Sequence, residues 1–192
     1  VDLAIVDQLD LIVGSLRRQD DDGGADALLL LIRTDLRRVV QLLQHSRYSD
    51  TVGRRLHSNA AELLRLAGWV SFDAGRHAKA RRYWLAALRV AREAGDHALA
   101  ANILGFLSCQ AKDIQHPREA VALAECARSE YRGASPRVLA ILDLRAAEAH
   151  ATDGSTAGCR RAIDSAFTHL DTSITIAPDW SYWLNVGHAH VL

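Results

Sequence analysis

Methionine is absent from this 192-residue chain and proline occurs three times. So little proline leaves nearly every backbone N–H free to bond, which permits long uninterrupted helices. Aromatic residues make up only 6% of the chain. A core with few rings and much alanine suits helices packed at close range. Neither sign of charge dominates, because 23 Lys and Arg balance 23 Asp and Glu. That balance removes the cationic excess needed to neutralise nucleic-acid phosphates. Cys109, Cys126 and Cys159 lack CxxC spacing and sit inside helical patterns, where cysteine acts as a small hydrophobe; a reducing cytoplasm is the expected compartment. The longest dense apolar run, Leu28 to Ile32, is too short to cross a bilayer. Val1 to Val13 contains Asp2, Asp7 and Asp10 without a basic start, unlike a signal peptide. A chain without methionine that opens on Val1 is expected to be a fragment of a longer protein.

The residues that are present read as about nine helices and no strand. Nearly half of them are hydrophobic, enough for a sizeable core. Helix one is expected from Asp2 to Arg18, with Leu9, Ile12, Val13 and Leu16 on one stripe. The acidic turn Asp20 to Gly24 ends it; this turn lacks the alternating ligands of a calcium loop. Helix two spans Ala25 to His45, with Leu29, Ile32, Leu36, Val39, Val40 and Leu43 facing inward. Leu28, Leu30 and Leu31 widen that face and suggest burial on two sides. Helix three follows a cap at Ser49 or Asp50 and reaches Ala74. The next helices cover Arg76 to Ala94, His97 to Lys112, Pro117 to the stop at Gly133, Pro136 to Gly154, and Ser155 to Asp171. Thr172 to Ala177 reads as extended, and a short helix begins at Pro178. Residues 1–48 form an N-terminal helical pair, and residues 49–192 form hairpins with a capping helix, together one continuous domain.

The strongest motif is Gly68 to Leu88. Gly68, Gly75, Ala80, Trp84, Ala87 and Leu88 carry the small–large spacing of a tetratricopeptide-repeat (TPR) hairpin. Gly68 and Ala80 let two helix backbones approach, Trp84 fills the space between them, and Gly75 supplies a left-handed turn. Ser108, Ala120 and Ala127 repeat the small positions, as do Ala147, Gly154, Cys159 and Ala166. The repeat length is roughly 40 residues against the usual 34. The expected architecture is therefore an all-α, TPR-like stack of hairpins, an α-solenoid.

The segment from Leu66 to Leu104, together with VGRRLHSNAAELLRLAGW before it and HPREAVALAECARSEYRG, SPRVLAILDLRAAEAHA and PDWSYWL after it, resembles the C-terminal helical domain of bacterial helix-turn-helix transcriptional regulators from high-GC Gram-positive species. The abundance of arginine over lysine agrees with such a genome. The resemblance implies a signal-sensing and dimerising domain that reaches DNA only through a separate N-terminal DNA-binding domain.

First helices of TPR hairpins line a groove. Here the groove-facing positions include Glu62, Arg65, Trp69, Phe72 and Asp73, then Asn102, Gly105, Cys109, Lys112 and Asp113, then Leu144, Glu148 and Ala151. Trp69 would anchor an apolar group, while Arg65 and Lys112 would take a carboxylate or carbonyl. The expected partner is a peptide, small protein or small molecule, alongside a second copy of the chain. The competing reading has the N-terminal helices filling the groove and leaves Trp69 and Phe72 as core. No metal or cofactor is expected: the nine histidines show no ligand spacing, and His188 and His190 point to different helix faces. The chain has no phosphate loop, GxSxG or Cys–His pair, so no enzyme is expected. A stand-alone TPR adaptor is the alternative function.

Overall fold

The computed structural model describes residues 1–19, 25–171 and 177–184. The acidic turn at Asp20 to Gly24, residues 172–176 of the extended run, and His188 and His190 lie outside them. Among the described residues the chain is all-α, with eight α-helices, one short 3-10 turn and no strand. The helices are α1 (Leu3–Gln19), α2 (Ala25–His45), α3 (Asp50–Asp73), α4 (His77–Ala94), α5 (His97–Asp113), α6 (Pro117–Glu130), α7 (Pro136–Thr152) and α8 (Thr156–Asp171); the 3-10 turn is Asp179–Ser181. Within the two units the helices pack mainly as consecutive antiparallel pairs, most extensively α3 with α4 and α7 with α8. No described helix is long and apolar enough to cross a membrane.

Local chemistry sets the helix ends. Ser49 caps α3, its side chain accepting from the Val52 N–H at 3.4 Å. Asp96 caps α5, accepting from the Leu99 N–H at 3.0 Å. Gly75 and Gly95 leave α3 and α4 at φ near +71° and +72°, where a side chain would be strained. Pro117 and Pro136 stand in the first turns of α6 and α7, where a missing N–H costs no hydrogen bond.

Two compact units divide at Leu99 and Ala100, within α5. The expected division at residue 48 falls inside the first unit, where α1 and α2 pack on α3. The core of that unit takes Val6, Leu9, Val13 and Leu16 from α1, Leu28, Leu29, Ile32 and Val39 from α2, and Leu56, Leu63, Leu66 and Val70 from α3. Helix α2 departs from expectation. Leu28 joins the core, whereas Val40 is exposed. Leu30 and Leu31 are 62% and 49% exposed, so the chain covers α2 on one side only.

Trp84 holds the α3–α4 hairpin together. It is fully buried, and its indole N–H donates to the Arg65 carbonyl at 3.1 Å. Its ring lies directly over Gly68; a Cβ built there would stand 2.3 Å from Nε1 and 2.4 Å from Cδ1. In the second unit, Ser108 and Ala120, equivalent small positions by spacing, are joined across α5 and α6 by a hydrogen bond from the Ser108 hydroxyl to the Ala120 carbonyl at 2.7 Å. On α8, Gly158 packs under His150 of α7, where a Cβ would meet the imidazole at 2.7 Å.

Trp84→Ala is expected to cost roughly 3–5 kcal/mol, and Gly68→Ala roughly 1–3 kcal/mol through overpacking. In a Trp84→Leu background the Gly68→Ala penalty should largely vanish. Urea titration of the four variants checks this; costs that add within about 0.5 kcal/mol would show that residues 68 and 84 do not interlock.

Candidate functional site

The eight candidate residues divide equally between the two units, and each set is described by itself. In the first unit, Glu62 and Arg65 are buried on α3. Arg65 grips Glu62 in a two-pronged ion pair at 2.8 and 3.0 Å. Arg17 of α1 approaches the same carboxylate at 2.6 Å. Further along the seam, Arg55 of α3 binds both Asp7 at 2.7 Å and Asp10 of α1, and Asn59 donates to Asp10 at 2.7 Å. Residue numbers rise together along the two helices, so α1 and α3 lie side by side in the same direction. This seam covers the inward side of α3 as far as Glu62 and Arg65.

Burial alone would push the Glu62 carboxyl up. The Arg65 guanidinium, followed by Arg17, outweighs that effect and holds it below the ordinary value near 4.5. One carboxylate thus serves two guanidinium groups out of water.

Trp69 and Asp73 lie beyond the seam. Trp69 is half-buried and packs on Phe72, ring centroids 5.7 Å apart. Phe72 contacts Trp84 at 5.6 Å and the edge of His77 at 5.3 Å. Asp73 is exposed at the end of α3.

In the second unit, α5 and α7 bring Lys112 and Glu148 together, Nζ to Oε2 at 3.5 Å. Arg145 donates one guanidinium nitrogen to both Glu148 oxygens at 3.2 and 3.1 Å, and its Cζ lies 6.0 Å from the centre of the Phe106 ring. Asp113 stands 3.6 Å from Lys112. Desolvation lowers the basicity of Lys112, but Glu148, Cys109 and Asp113 together more than compensate, so the ammonium is held charged. The Cys109 thiol beside it is pushed up, chiefly by burial, and stays protonated near neutral pH. Gly105 leaves room for the Arg145 stem, 3.4 Å from where a Cβ would be. Asn102 is buried on α5.

Leu144 is buried as well; its neighbour Arg145 is the residue that meets Glu148. Sequence reasoning missed Arg145 because it fell one position off the expected groove register. Arg17 was missed because it flanks an apolar stripe whose pattern says nothing about the charge it will meet. The buried Asp143 was also missed. It joins Arg128 of α6 at 3.1 Å to Ser165 of α8 at 2.6 Å, with His169 at 3.5 Å. A shallow hollow of about 400 Å³ on the α7–α8 hairpin is lined by Ala151, Gly154, Thr156, Cys159, Arg160 and Ile163, none of them among the eight candidates. Among the described residues, no group of three or more His, Cys, Asp or Glu is placed to hold a metal ion. Comparison with known protein families, curated proteins and solved structures returned no match.

Because Glu62 is more acidic folded than unfolded, its stabilisation is present above the unfolded carboxylate pKa and lost as pH falls through the lower folded value. Glu62→Gln should cost roughly 3–5 kcal/mol at neutral pH, since two buried guanidinium groups lose their counter-charge. Below pH 4.5 the gap between the urea midpoints of wild type and variant should narrow. A gap independent of pH would rule out an ionised Glu62.

Proposed function

We propose that this chain is the signal-sensing and dimerising domain of a helix-turn-helix transcriptional regulator, built from TPR-like hairpins and working in the cytoplasm. The observation that carries this reading is the use of alternate helices. Within the first unit α1 lies alongside α3, and within the second α5 lies alongside α7, in each case through charged side chains. First helices brought side by side form the lining of a binding groove in such repeats. On this reading each unit has its own lining: the half-buried Trp69 is an apolar anchor in the first, and Lys112 with Arg145 are cationic donors in the second. The ligand on this reading is a peptide, a small protein or a small molecule with an acceptor group. The groove has no catalytic role. Occupancy would act by favouring one arrangement of two attached DNA-binding domains, to the extent that the ligand binds that arrangement more tightly.

The exposed Leu30 and Leu31 support association with a second copy through α2, since an apolar helix face of this kind marks an interface. Sedimentation equilibrium at micromolar concentration should give a dimer for wild type and a monomer for the Leu30→Glu, Leu31→Glu double variant. A wild-type monomer would sink the dimer.

The groove is tested separately by native mass spectrometry of what co-purifies with the chain. Trp69→Ala should strip a molecule held by the first unit and Lys112→Ala one held by the second, because both side chains are accessible and outside the Glu62 ion-pair seam. A molecule retained by both variants would place the binding site elsewhere.

A further inference from the structure

The chain as a whole is neutral, yet α4 is strongly basic: Lys79, Arg81, Arg82, Arg89 and Arg92 face only Glu93 along its length. This charge does not serve the helix itself. Lys79, Arg81 and Arg82 fall in the first two turns, at the positive end of the helix dipole, where cations are unfavourable. The N-cap, Arg76, makes no side-chain capping bond there either.

The exposed residues of α4 are Ala78, Arg82, Leu85, Arg89, Arg92 and Glu93; the first five form a stripe at intervals of three and four residues, with Glu93 at its C-terminal edge. The side chains of Arg82 and Arg89 have no ion-pair or hydrogen-bond partner among the described residues. Between them, one turn from each, Leu85 is 50% exposed. From Arg82 to Arg92 the stripe covers about 15 Å, close to three helical turns.

We infer that this face of α4 docks an acidic amphipathic helix of a partner protein, with carboxylates meeting Arg82 and Arg89 and an apolar side chain resting on Leu85. The inference is independent of the groove and of the α2 face. Leucine at the centre of the stripe favours a protein over a phosphate backbone, which would leave it nothing apolar to meet. A membrane surface would need a much wider apolar face than one leucine. Arginine suits the role because its planar fork pairs carboxylates two bonds at a time while its stem covers apolar surface.

The test uses the full chain and a fluorescein-labelled, three-turn peptide helix of glutamate and leucine, read by fluorescence anisotropy. Saturable binding that weakens with added salt is expected. Arg82→Glu combined with Arg89→Glu should weaken it roughly tenfold or more, and Leu85→Gln roughly threefold to tenfold. Arg82→Lys with Arg89→Lys keeps the charge but not the planar fork, and should weaken binding less than the charge reversal does. The absence of saturable binding overturns the proposal, as does binding that neither the charge reversal nor Leu85→Gln alters. Sensitivity to charge alone, with Leu85→Gln indistinguishable from wild type, also overturns it. So would tighter binding, through the same arginines, to phosphatidylserine–phosphatidylcholine vesicles or to duplex DNA.

Discussion

Trp84 has a place to go only because residue 68 has no side chain. With the Gly68 Cα face against the indole, α3 and α4 approach closely enough for Ala80, Ala87 and Ala91 to be fully buried between them. The rest of the first unit builds on that hairpin. The Trp84 N–H reaches the Arg65 carbonyl, and Arg65 in turn holds Glu62, the residue through which α1 is tied down. Burial of one large ring and pairing of one buried carboxylate are thus mechanically connected through a single turn of α3. Close packing leaves no slack for either to shift alone.

Glycine and a ring recur in the second unit with the partners exchanged. In the α3–α4 hairpin the glycine is on the first helix and the ring on the second. In the α7–α8 hairpin, Gly158 is on the second helix and His150 on the first. The Ser108 hydroxyl does the corresponding job between α5 and α6 by bonding to a backbone carbonyl. Two chemical devices, a ring over a glycine and a hydroxyl on a backbone carbonyl, therefore serve three pairs of helices.

Those devices explain what was legible beforehand. Gly68, Trp84, the capping residue Ser49 and the left-handed Gly75 each act over a few residues, so their spacing shows in the sequence, and the helix boundaries follow closely. The ion-pair seams are different. Arg17 and Glu62 stand 45 positions apart, and Lys112 and Glu148 36 apart, so local periodicity carries no record of the pairing. Helix α7 illustrates the limit. A register error of one residue exchanges the buried Leu144 for the paired Arg145, and both are compatible with the same apolar pattern. On α2, the run of leucines was legible as surplus, but a sequence cannot say that Leu30 and Leu31 are left uncovered.

Within each unit, alternate helices are joined by charged side chains as well as by packing. The α3–α4 hairpin is interlocked at Trp84 and Gly68, whereas Arg17 and Arg55 meet carboxylates beside the apolar α1–α3 core, and Lys112 of α5 meets Glu148 of α7. Interlocked packing resists displacement steeply, because a gap of half an ångström already forfeits much of its attraction. A charge pair between flexible stems loses strength gradually with distance. Under load, the α3–α4 hairpin would behave as a stiff plate and the charged contacts at its flank as compliant joints. Tension or twist within the first unit would be taken up where arginine meets carboxylate, while that pair of helices keeps its shape.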